Sequence, residues 1–84
     1  MSKKQEELLQ GQEAETILNS DVFKNAIVNL KNEYFKIWEN SDQLDTDLRE
    51  KIFLSIKNLS NVENHLRIMV EKGKITKSQL EKIK

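Results

Sequence analysis

The chain has 84 residues with no proline or cysteine, two glycines, and 14 basic side chains balanced by 14 acidic ones. This length predicts one small domain, residues 1–84, and the lack of cysteine excludes disulfides, thiolate metal sites and cysteine nucleophiles. The zero net charge argues against a protein whose main task is to hold nucleic acid. No apolar run is long enough to span a membrane and no signal peptide follows Met1, so we expect a cytoplasmic protein.

The N-terminal region is polar, and residues 1–11 are expected to be frayed. A short helix is predicted over residues 12–18, with Gly11 at its start. Asn19-Ser20-Asp21 follows, three residues that favour helix N-caps because their side chains accept backbone N–H bonds. They are expected to end the first helix and begin the second.

The second helix is predicted from about residue 21 to residue 40. One apolar stripe recurs every three or four positions, which indicates a face packed on another helix. Its members are Phe23, Ile27, Leu30, Tyr34 and Ile37. A second stripe, formed by Val28, Phe35 and Trp38, lies elsewhere on the same helix and predicts a second neighbour.

The third helix is predicted over residues 47–72, after a short polar connection. Asp47 and Glu50 have the spacing of a capping box, and Gly73 follows Lys72 as expected for a helix C-terminus. Residues 74–84 are expected to form a basic tail with one more short helical segment. The apolar seam of the third helix comprises Leu48, Ile52, Ser55, Leu59, Val62, Leu66 and Met69.

Five acidic side chains crowd the connection between the second and third helices. Acidic residues near a helix N-terminus are stabilised by its dipole, and the alternative is a docking patch. They are Glu39, Asp42, Asp45, Asp47 and Glu50.

These elements predict an all-α fold. A short loop between two long helices makes them antiparallel neighbours, so we expect a helical hairpin with short terminal helical segments. Such a hairpin is expected to assemble into a helical bundle.

The sequence lacks a pattern for catalysis or for binding a cofactor. His65 is the only histidine, and the positions one turn away hold Asn61, Val62, Ile68 and Met69, none of them a usual metal ligand in this setting. No glycine-rich phosphate loop or Ser-x-x-Lys motif occurs. We therefore expect a protein that is not an enzyme and that binds no metal or cofactor.

Surplus apolar surface is the most informative feature. Val28, Phe35, Trp38 and Phe53 lie off the hairpin seam, and exposed aromatic side chains usually mark an interface. The interpretation is a homo-oligomer, most simply a dimer of hairpins, or binding to a protein partner. The alternative is intramolecular: the first helix, with Ile17 and Leu18, would fold across one of these faces, although it is too short to cover a helix of this length. An antiparallel dimer would bring each acidic connection near the partner's basic tail.

The alternative function is a small nucleic-acid-associated or packaging accessory protein that works through the basic tail. The lysines concerned are Lys72, Lys74, Lys77, Lys82 and Lys84.

Positions spread over most of the chain form a further pattern: Gly11, Ala14, Leu18, Phe23, Ala26, Trp38, Arg49, Leu59, Gly73, Lys74 and Leu80. In this pattern the whole chain resembles small uncharacterised all-helical proteins encoded by tailed bacteriophages, including marine ones. The resemblance implies an accessory or structural component without an assigned activity, placed in the host cytoplasm or the virion.

Overall fold

The computed structural model describes residues 2–82 of the chain, and it is all-α over those residues. Three helices follow one another: α1 (Lys3–Asn19), α2 (Asp21–Asn40) and α3 (Thr46–Lys82). The prediction of an all-α fold is therefore confirmed.

Helix α1 begins at Lys3, nine residues before the predicted start at residue 12. Ser2 and Gln5 form a capping box in which the Gln5 N–H donates to Ser2 Oγ at 3.2 Å and the Ser2 N–H donates to Gln5 Oε1 at 3.3 Å. Gly11 accordingly lies in the middle of α1 and not at its entry. The expected fraying of residues 1–11 stays a prediction.

Ser20 alone separates α1 from α2, as the sequence predicts for this boundary. Its backbone is extended, its side chain accepts the Phe23 N–H at 3.3 Å, and its own N–H donates to the Ile17 carbonyl at 3.1 Å. One serine thus satisfies exposed backbone groups of both helices, so α1 ends and α2 begins within a single residue.

Helix α3 differs from its prediction at both ends. Its N-terminus is capped by Asp45, whose carboxylate accepts the Leu48 N–H at 3.2 Å, so Asp47 lies inside the first turn and is not the cap. The helix also continues through Gly73 to Lys82, and no glycine has a positive φ. The predicted end at residue 72 and the separate basic tail are therefore wrong, because Gly73 serves a helix crossing and not a helix terminus.

Helix α1 packs on the C-terminal half of α3 through this crossing. A Cβ built on Gly11 would lie 2.9 Å from the Gly73 Cα and 3.0 Å from the Met69 carbonyl oxygen. Ala14 and Val70 are buried beside it. Thr76 Oγ1, also buried, donates to Glu7 Oε2 at 3.0 Å. Only glycine at both positions permits the two backbones to approach so closely.

Helix α2 contacts the other half of α3. Lys31 Nζ lies 3.1 Å from Glu63 Oε1, and Arg49 Nε donates to Ser41 Oγ at 3.0 Å. Ile27 and Ile52 are the buried apolar side chains of this half. Both α1 and α2 run antiparallel to α3. Helix α1 packs on the C-terminal half of α3 and α2 packs on its N-terminal half.

The core that results is small. Within residues 2–82 the buried apolar side chains are Ala14, Ile27, Ile52 and Val70, and no large side chain there is fully buried. The molecule measures 62 × 23 × 18 Å, and its radius of gyration of 18.1 Å far exceeds the value of about 12 Å for a compact domain of this length.

The two predicted seams close on each other only in part, with Ile27 and Ile52 buried between α2 and α3. Leu30, Ile37, Leu48 and Val62 were expected between α2 and α3, yet all four are exposed. The physical reason is that α2 lies over one edge of the α3 seam, where it contacts Arg49 and Glu63 beside the buried Ile52, and leaves Leu48 and Val62 at the other edge open.

Candidate interaction surface

Four apolar side chains that the sequence singles out lie on the pair formed by α2 and α3, and we call them the aromatic face: Val28, Phe35, Trp38 and Phe53. The first two follow one another by two turns on the same side of α2. Val28, Phe35 and Phe53 are each more than half exposed, and Trp38 is 37% exposed.

Two cations contact rings of the aromatic face, and one of these contacts joins α3 to α2. The guanidinium carbon of Arg49 lies 4.7 Å from the centre of the Trp38 ring, and Lys57 Nζ lies 5.8 Å from the centre of the Phe53 ring. Arg49, Phe53 and Lys57 are one turn apart in succession on α3, so they occupy the same side of that helix. The structure therefore brings Trp38 and Phe53 to one side of the molecule.

The contact of Arg49 with Trp38 also fixes the connection between the helices. The same guanidinium donates to Ser41 Oγ, which in turn donates to the Trp38 carbonyl at 2.6 Å. A cation above a ring is attracted by the negative face of its π system. This chain of contacts holds the Trp38 ring at the edge of the aromatic face.

A second apolar surface is formed by Leu30 and Ile37 of α2 with Leu48 and Val62 of α3, which a closed hairpin was expected to cover. Val28 borders a cleft with Lys31, Glu63 and Arg67. Leu30 and Ile37 lie on the opposite flank of α2 and therefore face away from that cleft. The exposed Leu48 and Val62 belong to the same unpaired side of α3. The regular spacing of the α3 seam indicated this surface, but only the packing of α2 showed that it is open.

The lysines of the C-terminal part of α3 do not gather on one face. Lys72 borders a cleft with Lys3 and His65, whereas Lys74 and Lys77 border a cleft with Glu15 on another side. Lys74 also lies 3.9 Å from Glu71. Lys82 ends α3, and Lys84 lies outside the described residues.

The acidic side chains of the connection have local partners in two cases. Asp42 Oδ1 accepts the Leu44 N–H at 2.9 Å, and Asp45 Oδ1 accepts the Leu48 N–H. These two carboxylates therefore stabilise the turn and the start of α3. A docking role for the group as a whole stays a prediction.

His65 is exposed on α3. Among residues 2–82, no group of three or more histidine or acidic side chains is placed to hold a metal ion. None of the helices described there combines the length and the apolar character needed to cross a bilayer.

Fold and surface together define an elongated all-α protein with two exposed apolar surfaces. No protein-family model, curated protein or solved structure matches this chain significantly.

Proposed function

We propose that this protein is a non-enzymatic helical interaction protein that acts by association, first of all with a second copy of itself. In this proposal α2 and α3 form an antiparallel hairpin whose aromatic face is the contact surface. The observation that carries it is the exposure of Val28, Phe35 and Phe53 beside an interior with no large, fully buried side chain in residues 2–82.

The surface area supports association. The chain exposes 6,699 Å², whereas a compact monomer of its mass exposes about 5,200 Å². The excess is about 1,500 Å², and one partner in an interface of standard size buries about 800 Å². The chain therefore has enough surplus surface for a stable dimer interface.

The chemistry of the aromatic face suits protein contact. Phenylalanine and tryptophan side chains contribute a large binding free energy per residue when a partner excludes water from them. Arginine and tryptophan are also enriched among the residues that dominate the affinity of protein interfaces. Arg49 and Lys57 supply a polar rim to Trp38 and Phe53. A rim of this kind orients a partner while the rings supply the binding free energy.

A dimer of two such hairpins is a four-helix bundle. Its role would be structural or accessory, as expected from the resemblance to small phage-encoded helical proteins. The same face could receive a different protein in place of a second copy, and a mixed complex would then replace the dimer.

Light scattering combined with size exclusion tests the proposal. The wild-type chain is expected to show at least twice the monomer mass of 9.9 kDa at micromolar concentration. Phe35→Glu is expected to lower that mass, because it places a charge in the centre of the aromatic face.

Asn29→Glu is the matched control, since it adds the same charge to an exposed position of α2 away from that face. It is expected to leave the mass unchanged. A wild-type chain that is monomeric and melts cooperatively would contradict self-association.

A further inference from the structure

One stripe of α2, which includes two residues of the aromatic face, carries opposite charges at its ends. It runs from Lys24 through Val28 and Phe35 to Glu39, at intervals of four or seven positions, which places these residues on one side of the helix. All four are exposed. A basic end, an apolar middle and an acidic end therefore follow one another along one surface, which we call the charged stripe.

The order of these residues makes the charged stripe complementary to itself. Val28 and Phe35 lie at equal distances from its middle, and Lys24 and Glu39 each lie four positions further out. Two copies of α2 that meet antiparallel, with Val28 opposite Phe35, therefore also place Lys24 opposite Glu39. A parallel pair would bring like charges together at both ends, where they repel each other.

The basic end of the stripe borders a cleft where the three helices meet. Lys24, Lys31 and Arg67 border this cleft together with a single carboxylate, that of Glu63. Glu63 lies 3.1 Å from Lys31 and 3.7 Å from Arg67. Because three cations face one anion, the cleft keeps a positive excess. Its apolar side chains are Leu18, Phe23, Ile27 and Val28.

The acidic end of the stripe continues into the connection between α2 and α3, which exposes an apolar side chain. Leu44 is 87% exposed. It lies between Asp42 and Asp45, whose carboxylates each accept a backbone N–H of the connection or of α3. The connection thus presents one apolar side chain between two acidic ones, which matches the positive charge and the apolar side chains of the cleft.

We propose that α2 pairs antiparallel with α2 of a second copy, so that the acidic connection of each copy occupies the cleft of the other. Leu44 then packs on the apolar side chains of the cleft. This inference rests on the proposed function and specifies how the two copies are arranged. Each copy contributes the same residues to the contact, so the pair is closed and symmetric. The opposite charges at its ends fix the orientation, as charged positions do in paired helices.

Charge reversal tests the pairing. Lys24→Glu and Glu39→Lys each place like charges at both ends of the pair, and each is expected to raise the dissociation constant of the dimer at least about tenfold at low salt. An equimolar mixture of the two variants restores opposite charges at both ends. Its mass in light scattering is therefore expected to return to that of the wild-type chain. The matched control is Lys51→Glu, at an exposed position on the flank of α3 opposite Phe53, which is expected to leave the mass unchanged.

Leu44→Ser tests the occupant of the cleft. Because this side chain is largely exposed within one copy, the variant is expected to keep the circular dichroism spectrum of the wild-type chain. It is expected to raise the dissociation constant of the dimer at least about tenfold, since each copy loses one buried leucine. Val22→Ser is the control, because Val22 is 79% exposed on a side of α2 away from the charged stripe. It is expected to leave the mass unchanged.

The outcomes separate this inference from the proposed function. An associated chain whose mass falls with Phe35→Glu but with neither charge reversal overturns the antiparallel pairing and leaves the proposed function standing. A mixture of Lys24→Glu and Glu39→Lys that stays dissociated overturns the pairing as well. Unchanged affinity in Leu44→Ser overturns the cleft as the place where the connection binds. A wild-type chain that is monomeric at micromolar concentration overturns both proposals.

Discussion

Gly11 and Gly73 bring the backbones of α1 and α3 so close that a Cβ added to either residue would lie 2.9 to 3.0 Å from the Cα of the other. The neighbouring atoms belong to backbone, which cannot move aside as a flexible side chain would. The close packing of α1 on α3 therefore depends on the absence of a side chain at both Gly11 and Gly73.

Gly11→Ala and Gly73→Ala are each expected to lower the free energy of unfolding by about 1–2 kcal/mol, because the strain of overpacking exceeds the gain in helix propensity. Urea denaturation followed by circular dichroism measures the change. Ser78→Ala, at an exposed position of α3, is the control and is expected to be neutral or slightly stabilising. An increase in stability for either glycine variant would contradict the close crossing.

Thr76→Val should weaken the same helix pair without creating a cavity. Thr76 is only 4% exposed, and its hydroxyl donates to Glu7 Oε2. Valine keeps the shape and removes the donor, so we expect a loss of about 0.5–1.5 kcal/mol in the free energy of unfolding. Amide hydrogen exchange should show the loss of protection concentrated in α1.

The double variant Glu7→Ala/Thr76→Val separates the hydrogen bond from other effects. In the presence of Glu7→Ala, the change Thr76→Val should cost much less than it does alone. Equal costs in the two backgrounds would show that the hydroxyl contributes nothing through Glu7.

Glu63→Gln is expected to destabilise the pair of α2 and α3 modestly. Glu63 lies 3.1 Å from Lys31 and 3.7 Å from Arg67, and the Lys31 and Glu63 side chains are 31% and 20% exposed. Partly exposed ion pairs contribute little, so the expected loss is under about 1 kcal/mol. It should shrink as salt is added, because counterions screen the interaction.

Glu71→Gln provides the comparison for that variant. Glu71 and Lys74 are largely exposed and 3.9 Å apart, so no measurable change in thermal unfolding is expected. A loss for Glu63→Gln that does not depend on salt would point to packing in place of charge.

Arg49→Met is expected to release the Trp38 ring from its cation and to remove the hydrogen bond to Ser41. The emission of the single tryptophan should move to longer wavelength as the ring becomes more exposed to water, with a loss of about 1 kcal/mol in stability. Lys51→Met, at an exposed position of α3, is the control for the lost charge. Unchanged emission in Arg49→Met would contradict the contact between Arg49 and Trp38.

Helical content and the boundaries of α2 followed from the sequence alone. Asn19-Ser20-Asp21 contains a serine able to accept a backbone N–H, and the structure uses Ser20 in this way. The three- and four-residue apolar spacing of α2 and α3 required helices, because no other regular structure places those positions on one side. Helix formation and helix capping depend on residues a few positions apart in the chain, so they can be predicted from the sequence alone.

The role of the two glycines was decided only by tertiary structure. A glycine after a lysine at the end of an apolar helix is the usual mark of a C-terminus, and Gly73 was interpreted in that way. In the folded chain it faces Gly11, 62 positions earlier, and α3 continues to Lys82. The close approach of two distant glycines leaves no pattern in the residues around either of them.

Which parts of the apolar stripes are covered by another helix was likewise decided only by the tertiary structure. Periodicity shows that Leu48 and Val62 share a side of α3 with Gly73, but it does not show which helix covers that side or for what length. The structure places α1 over Gly73 and leaves Leu48 and Val62 exposed. The sequence thus determined that this protein is helical with more apolar surface than its own helices can cover. The packing of α1 and α2 on α3 decided where that surface remains open.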